Sequence, residues 1–237
     1  MSAGKVYVLS AKYRAILGWK MISVLDYGAG NVGSVIRMIE RAGGIAHRIT
    51  CVEEVLAARK LVIPGVGSFN HGMAQLNSRA LVSALNSVAL DSRIPVLGIC
   101  LGMQLMCCRS NEGALPGLAW VDADVLRFPA YETNGLRVPH MGWNTLRVVR
   151  ENPLLSSNDL DDRFYFVHSY RVICRDPCDQ VAVTQYGEEF VAAFQRNNLF
   201  GVQFHPEKSH RFGRQLMRRF MEFESAETSS HSCSALA

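Results

Sequence analysis

The 237-residue sequence has no apolar run close to the roughly eighteen residues of a membrane span, which argues against an integral membrane protein. Its seven cysteines are scattered and odd in number, which argues against a disulfide framework and favours a reducing, cytoplasmic location. No cysteine–histidine pair has the spacing of a zinc site. We therefore expect neither a metal nor a cofactor.

Acidic residues are missing from residues 1–20, which carry four basic side chains and hence the whole formal net charge of +4. The remaining 21 basic and 21 acidic residues balance, so no nucleic-acid partner is expected. Residues 1–20 also lack the long apolar core and cleavage site of a secretory signal. We predict a disordered extension or upstream start at 1–20, one domain over 21–224 and a disordered tail at 225–237. A transit peptide at 1–20 is the alternative, although the segment is poor in arginine and serine.

Strand and helix patterns alternate between residues 21 and 110. This alternation predicts an α/β fold with a mostly parallel sheet covered by helices on both faces. From about residue 120 onward, short alternating segments predict an antiparallel region on one side of that sheet. One strand is expected over 163–173 and another over 199–204, and a final amphipathic helix is expected to bury Phe212, Leu216, Phe220 and Phe223.

Cys100 lies in the stretch VLGICLGMQL, where a buried strand meets a helix and a glycine stands two places to either side. A strand that enters a helix through such a turn presents its central residue as a nucleophile, as in hydrolase elbows. The helix dipole would favour the thiolate. The other cysteines are interpreted as core or surface thiols: Cys51, Cys107, Cys108, Cys174, Cys178 and Cys233.

A thiolate nucleophile requires a base and a group that orients it. His205 follows the apolar run GVQF, and Glu207, two residues on, can bind the far imidazole nitrogen. The remaining histidines are predicted to be structural or interfacial (His140 and His168) or surface residues (His47, His71 and His210).

The turn in LVIPGVGSF, residues 61–69, is a candidate oxyanion hole. Its free backbone amides at Val66 and Gly67, together with that of Leu101, would stabilise a tetrahedral intermediate. An ordinary strand-to-helix turn would use the same glycines, so this signal is weak alone.

Together, GICLG at 98–102, HPE at 205–207 and PGVG at 64–67 resemble the class I, triad-type glutamine amidotransferases. Within that class, DYGAGN at 26–31, PHMGWN at 139–144, FVHSY at 166–170 and FHPEKS at 204–209 resemble the glutaminase subunits of imidazole glycerol phosphate synthase. The resemblance covers about residues 21–224.

The resemblance implies a glutaminase with Cys100 as nucleophile, His205 as base and Glu207 as its orienting group. Matching positions imply glutamine binding by Gly67, Gln104, Ser169 and Tyr170. They also imply that Asn31, Trp143, Tyr165 and Lys208 face the cyclase subunit of imidazole glycerol phosphate synthase, a (β/α)8 barrel that receives ammonia in a heterodimer. The pathway implied is histidine biosynthesis.

The sequence leaves three alternatives open. FNHGM at 69–73 and EKSHRFG at 207–213 resemble a side branch that supplies ammonia for amidating bacterial surface sugars. A cysteine-triad ester hydrolase would also suit the nucleophile turn, but it would not need PHMGWN. A catalytically inactive partner protein is disfavoured because all three triad residues are present.

Overall fold

The computed structural model describes residues 21–128, 136–159 and 162–224. The extension predicted over residues 1–20 and the tail predicted over 225–237 lie outside these ranges. Within the described ranges, the chain forms a sheet of eleven strands and a separate sheet of two strands. The predicted α/β class is confirmed.

Strands and helices alternate in the first part of the chain, as predicted. The first elements are β1 (Met21–Leu25), α1 (Val32–Arg41), β2 (Ile45–Ile49), α2 (Val52–Leu56) and β3 (Leu61–Gly65). The segment VEEVLAARK at 52–60 predicts a short helix, but α2 ends at Leu56, because the Lys60 carbonyl already accepts a hydrogen bond from the Ser23 amide of β1. The chain must therefore leave the helix before it reaches Lys60.

The segment SRALVSALNSVAL at 78–90 predicts a helix, and the structure has one from residue 81, preceded by a further helix that was not predicted. The next elements are α3 (Phe69–Ser78), α4 (Leu81–Asn86), β4 (Val96–Cys100) and α5 (Leu101–Leu105). Ser68 starts α3 by accepting a hydrogen bond from the His71 amide. Ala80, at a φ of 55°, turns the chain between α3 and α4.

The remaining strands are β5 (Arg109–Ser110), β6 (Ala123–Arg127), β7 (His140–Thr145), β8 (Arg147–Val148), β9 (Arg163–His168), β10 (Tyr170–Cys174), β11 (Gln180–Tyr186), β12 (Glu188–Arg196) and β13 (Leu199–Val202). The expectation of one strand over 163–173 was wrong. β9 pairs with β7 in the small sheet, whereas β10 pairs with β6 in the large one. The chain changes sheets at Ser169, whose carbonyl accepts a hydrogen bond from Phe128 at 3.1 Å.

The strand order of the large sheet is β2-β1-β3-β4-β13-β12-β10-β6-β5, with β11 pairing with β12 and β8. The prediction that the strand at 199–204 belongs wholly to the antiparallel region was wrong. β13 is antiparallel to β12 but parallel to β4, because Asn197, at a φ of 55°, helps to reverse the chain after β12. The carboxyl ends of β4 and β13 therefore lie side by side at one edge of the sheet.

Apolar side chains form a core cluster on each face of the large sheet. Alternate residues of β1 face opposite clusters, with Leu25 in one and Val24 in the other. Helix α6 (His210–Glu222) packs on the second cluster, where Leu216 and Phe220 are buried while Phe212 and Phe223 pack partly buried. Among the described residues, no helix is long and apolar enough to cross a membrane.

Candidate active site

Cys100 stands at the joint between β4 and α5, in a sharp backbone turn with φ 53° and ψ −108°. The flanking glycines are required by close backbone approach. A Cβ atom on Gly98 would lie 2.7 Å from the carbonyl carbon of Gly102, and one on Gly102 would overlap the Ile63 carbonyl. The following helix has only five residues, so its dipole contributes less than the sequence implied.

His205 lies just beyond β13, at the sheet edge where β4 ends in Cys100. Its Nδ1 atom is 2.7 Å from Oε1 of Glu207, and both side chains are almost completely buried. Three backbone contacts hold this segment: the His205 amide donates to the Tyr165 carbonyl, and the Ser209 hydroxyl donates to the His205 carbonyl and accepts from the Tyr165 amide. The Nε2 atom of His205 has no hydrogen-bond partner among the described residues.

The charges around His205 favour its protonated form. Burial lowers the pKa of the imidazole, but the adjacent Cys100 sulfur and the Glu207 carboxylate raise it further, to about 10. A protonated imidazole beside the Cys100 sulfur suits proton donation to a leaving group after nucleophilic attack. The three predicted triad residues are therefore brought together, in a buried site at one edge of the sheet.

The Gln104 side chain, predicted to bind glutamine, lies in a hydrogen-bond network behind Cys100. Its Nε2 atom donates to the Tyr170 carbonyl at 3.2 Å and to Oε1 of Gln203 at 3.1 Å. Both amide hydrogens of Gln104 are thereby used within the protein. Ser169 lies between β9 and β10, where the chain passes from the small sheet to the large one, and it directly precedes Tyr170.

The sequence pattern did not predict a role for Gln203, because GVQF was interpreted as an apolar run. The side chain is completely buried, and its Nε2 atom donates to Sγ of Cys100 at 3.6 Å. A polar residue inside an otherwise apolar strand end is the signal that could have drawn attention to it, because buried polar groups require partners.

His140, the first residue of β7, and His168, the last residue of β9, pair in the small sheet and are buried, in agreement with a structural role. Nδ1 of His140 is 3.0 Å from Nε2 of His168, and Nδ1 of His168 is 2.8 Å from the Tyr170 carbonyl. Burial lowers the pKa of His140 to about 4 and that of His168 to about 3. Both rings are therefore neutral at neutral pH.

The predicted oxyanion turn begins at the end of β3. Gly67 has a φ of 102°, which favours glycine, but the Val66 amide donates a hydrogen bond to the Ala29 carbonyl at 3.1 Å. That amide is therefore occupied in this conformation. The amide of Leu101, at the first position of α5, has no acceptor within its own helix.

Three of the four predicted partner-facing residues form one aromatic surface. Trp143 is 46% exposed and meets the Tyr165 ring edge-on at 6.0 Å, and Nζ of Lys208 lies 5.5 Å from the centre of that ring. His210, predicted only as a surface residue, stacks on Trp143 at 5.4 Å. The fourth, Asn31, is exposed and caps α1.

The remaining cysteines in the described ranges are unpaired. Cys107 and Cys174 are buried, Cys108 is half-buried, and Cys51 and Cys178 are exposed, while Cys233 lies outside the described residues.

A sequence model of the family described as glutamine amidotransferase class-I matches residues 23–223. The chain belongs to this family. The match extends from within β1 to the residue after α6, and it includes Cys100, His205 and Glu207.

Curated relatives carry the same subunit name in several organisms. The chain is 47% identical to imidazole glycerol phosphate synthase subunit HisH 2 of Pseudomonas aeruginosa over 202 residues, covering 85% of this chain and 99% of that one. It is 44% identical to subunit HisH 2 of Methanococcus maripaludis, with the same coverage. It is 42% identical to subunit HisH of Bdellovibrio bacteriovorus, covering 85% and 100% of the two chains.

Solved structures share the fold at low sequence identity. A structure described as PurLQS from Thermotoga maritima matches with a TM-score of 0.66 at 16% identity, covering 85% of this chain and 97% of that chain. A crystal structure of a glutamine amidotransferase matches with a TM-score of 0.63 at 18% identity and the same coverage.

Proposed function

We propose that this protein is the glutaminase subunit of imidazole glycerol phosphate synthase, which hydrolyses glutamine and passes the ammonia to a cyclase partner. One observation supports the proposal above all: the buried side chains of His205 and Glu207 are in contact. This contact lies beside Cys100, at the edge of the sheet where β4 and β13 end. Relatives at 42–47% identity, whose printed names are subunits of that synthase, support the assignment.

The chemistry follows from the positions of the triad. The Cys100 sulfur attacks the side-chain amide carbon of glutamine, and His205 carries the thiol proton on Nε2. When the carbon–nitrogen bond breaks, His205 gives that proton to the departing ammonia. Water, deprotonated by His205, then hydrolyses the glutamyl thioester to glutamate and restores the thiol. Glu207 holds Nδ1 throughout, which keeps Nε2 directed at the reacting atoms.

Glutamine binding is proposed at Gly67, Gln104, Ser169 and Tyr170. Because both hydrogens of the Gln104 amide are used within the protein, we assign its oxygen as the acceptor for an N–H group of the substrate. The oxyanion donors are proposed at Val66, Gly67 and Leu101. Use of the Val66 amide requires that it first leave the Ala29 carbonyl.

The partner surface is proposed at Asn31, Trp143, Tyr165 and Lys208. Met141, 61% exposed and two residues before Trp143 on the same face of β7, extends this surface. Exposed aromatic and methionine side chains are typical of protein interfaces. A heterodimer with a (β/α)8 cyclase in the cytoplasm is part of the same proposal.

One alternative concerns only the acceptor of the ammonia. FNHGM at 69–73 and EKSHRFG at 207–213 favour the branch that supplies ammonia for amidating bacterial surface sugars. The reaction on this chain is the same in both cases. A cysteine-triad ester hydrolase is disfavoured, because the chain belongs to the amidotransferase family.

The proposal is tested with Cys100→Ala in a complex with the cyclase subunit. Glutamine-dependent turnover should be lost, while turnover with free ammonium should be retained, because the thiol serves only to release ammonia. A glutamine-like electrophile should label Cys100 ahead of the other thiols, as read by peptide mass spectrometry. Glutaminase activity that survives in Cys100→Ala would refute the nucleophile assignment.

A further inference from the structure

Gln203 is a completely buried polar side chain that touches the nucleophile and that the mechanism above does not use. Its backbone amide donates to the Ala192 carbonyl of β12 at 2.8 Å, which fixes the residue against the sheet. Its side-chain nitrogen lies 3.6 Å from Sγ of Cys100, and its side-chain oxygen lies 3.1 Å from Nε2 of Gln104. The side chain therefore bridges Cys100 and Gln104.

The direction of these hydrogen bonds is determined by a single backbone carbonyl. The Tyr170 carbonyl can only accept, so the amide group of Gln104 that faces it must be the nitrogen. The second hydrogen of that nitrogen is donated to Gln203, which must accept it with its side-chain oxygen. The nitrogen of Gln203 is then left facing the Cys100 sulfur, and it can only donate.

The same carbonyl sets the direction of a second branch. It accepts from Nδ1 of His168, so Nε2 of that neutral ring must accept from Nδ1 of His140. Nε2 of His140 in turn faces the side-chain nitrogen of Asn144 at 3.5 Å. Because each ring and amide has one allowed orientation, Gln203 cannot flip without breaking the network.

We propose that Gln203 is a positioning residue that donates a side-chain hydrogen bond to the Cys100 sulfur, stabilising the thiolate and directing it toward the substrate. This inference rests on Cys100 being the nucleophile. A hydrogen bond to an ionised acceptor is stronger than one to a neutral acceptor, so the contact favours the thiolate over the thiol.

The test measures alkylation of Cys100 by iodoacetamide in the full-length chain as a function of pH, read by peptide mass spectrometry. In Gln203→Met, which keeps the side-chain length but cannot donate, the rate at neutral pH should fall about tenfold. The midpoint of the rate–pH profile should move to higher pH. The titratable groups that face the sulfur are His205, backed by Glu207, and the buried hydroxyl of Tyr27, and both remain unchanged.

Two further variants separate this role from a general effect on folding. Gln203→Glu differs from glutamine by one atom, and where its carboxyl is ionised it cannot donate and repels the thiolate, so it should also lower the rate. Gln195→Met makes the same substitution on the neighbouring strand β12, where the amide bonds the Asn197 carbonyl at 3.1 Å, and should leave the profile unchanged. Circular dichroism of each variant reports its folding.

The outcomes distinguish this inference from the proposed function. If a glutamine-like electrophile does not label Cys100 of the unmodified chain ahead of the other thiols, the nucleophile assignment itself fails. If Cys100 is alkylated selectively but folded Gln203→Met and Gln203→Glu both keep the original rate and midpoint, the positioning role of Gln203 is refuted.

Discussion

The backbone amide of Val66 donates its hydrogen bond to the carbonyl of Ala29, in the turn that follows β1. The predicted oxyanion donor is therefore held by a neighbouring turn rather than directed at the site. Gly65 and Gly67 flank Val66, so a rotation of one peptide unit would release the donor. This contact gives a physical basis for low activity in the isolated chain.

We expect low glutaminase activity from the isolated chain and a rise by orders of magnitude when the cyclase partner binds its nucleotide substrate. One missing oxyanion donor typically costs about 10²–10³ in turnover. Val66→Pro removes the donor and should suppress the stimulated rate while assembly persists. Val66→Ala keeps the amide and is the matched control. The measurement is glutamate release, and an isolated chain already at the stimulated rate would contradict the switch.

Glu207→Gln keeps the side-chain shape but removes the charge beside His205. We expect turnover to fall about 10²–10⁴-fold, because the base loses its orienting carboxylate. The carboxylate helps to raise the pKa of His205, so its loss should move the alkaline limb of the activity–pH profile to lower pH. Steady-state kinetics across the pH range measure both effects. An unchanged alkaline limb would contradict the assignment.

The same pair predicts how stability depends on pH. The folded pKa of His205, about 10, exceeds its ordinary value of 6.5, so the stabilisation is complete below about pH 6.5 and is lost as pH rises toward 10. The difference in melting temperature between the unmodified chain and Glu207→Gln should therefore shrink at alkaline pH. A difference that is constant across this range would show that the ion pair does not contribute.

Gly102→Ala should destabilise the protein, because the added Cβ would overlap the Ile63 carbonyl. Forcing extra atoms into a packed region costs about 1–3 kcal/mol, and each 1 kcal/mol lowers the melting temperature of a chain of this size by roughly 2–4 °C. Gly33→Ala is the control, since only the far end of Arg37 lies near its Cβ position in α1. Equal melting temperatures for the two variants would contradict the close-approach argument.

Trp143→Ala should weaken binding of the cyclase partner, because exposed aromatic residues commonly dominate interface energies. A loss of about 2 kcal/mol would raise the dissociation constant roughly 30-fold. Leu56→Ala, at another exposed apolar side chain, on α2, is the control. Titration calorimetry measures both constants. An unchanged constant for Trp143→Ala would remove this residue from the proposed interface.

A chain that begins at Met21 should match the full chain in melting temperature and in partner-stimulated turnover. Residues 1–20 hold the whole charge excess and precede the strand that starts at Met21. Thermal melts and coupled assays of the two chains test this. A drop of several degrees in the shorter chain would show that the segment packs against the domain.

The sequence alone predicted Cys100, His205 and Glu207 as a triad, and it predicted most elements of the fold. The glycines around Cys100 and the proline after His205 act on the backbone within a few residues of themselves. Their effect can therefore be predicted from the sequence. Alternating apolar runs and helices likewise predicted the parallel sheet. Helix α3 was missed because its sequence, FNHGMAQLNS, contains glycine and asparagine, which are weak helix formers.

The tertiary structure alone decided which residues surround Cys100. Gln203 and Cys100 are 103 positions apart, and only the parallel pairing of β13 with β4 brings their side chains together. The contact between Val66 and Ala29 likewise joins two turns that follow different strands. Such contacts depend on strand order and direction, which local patterns leave open because several topologies satisfy the same alternation of strands and helices.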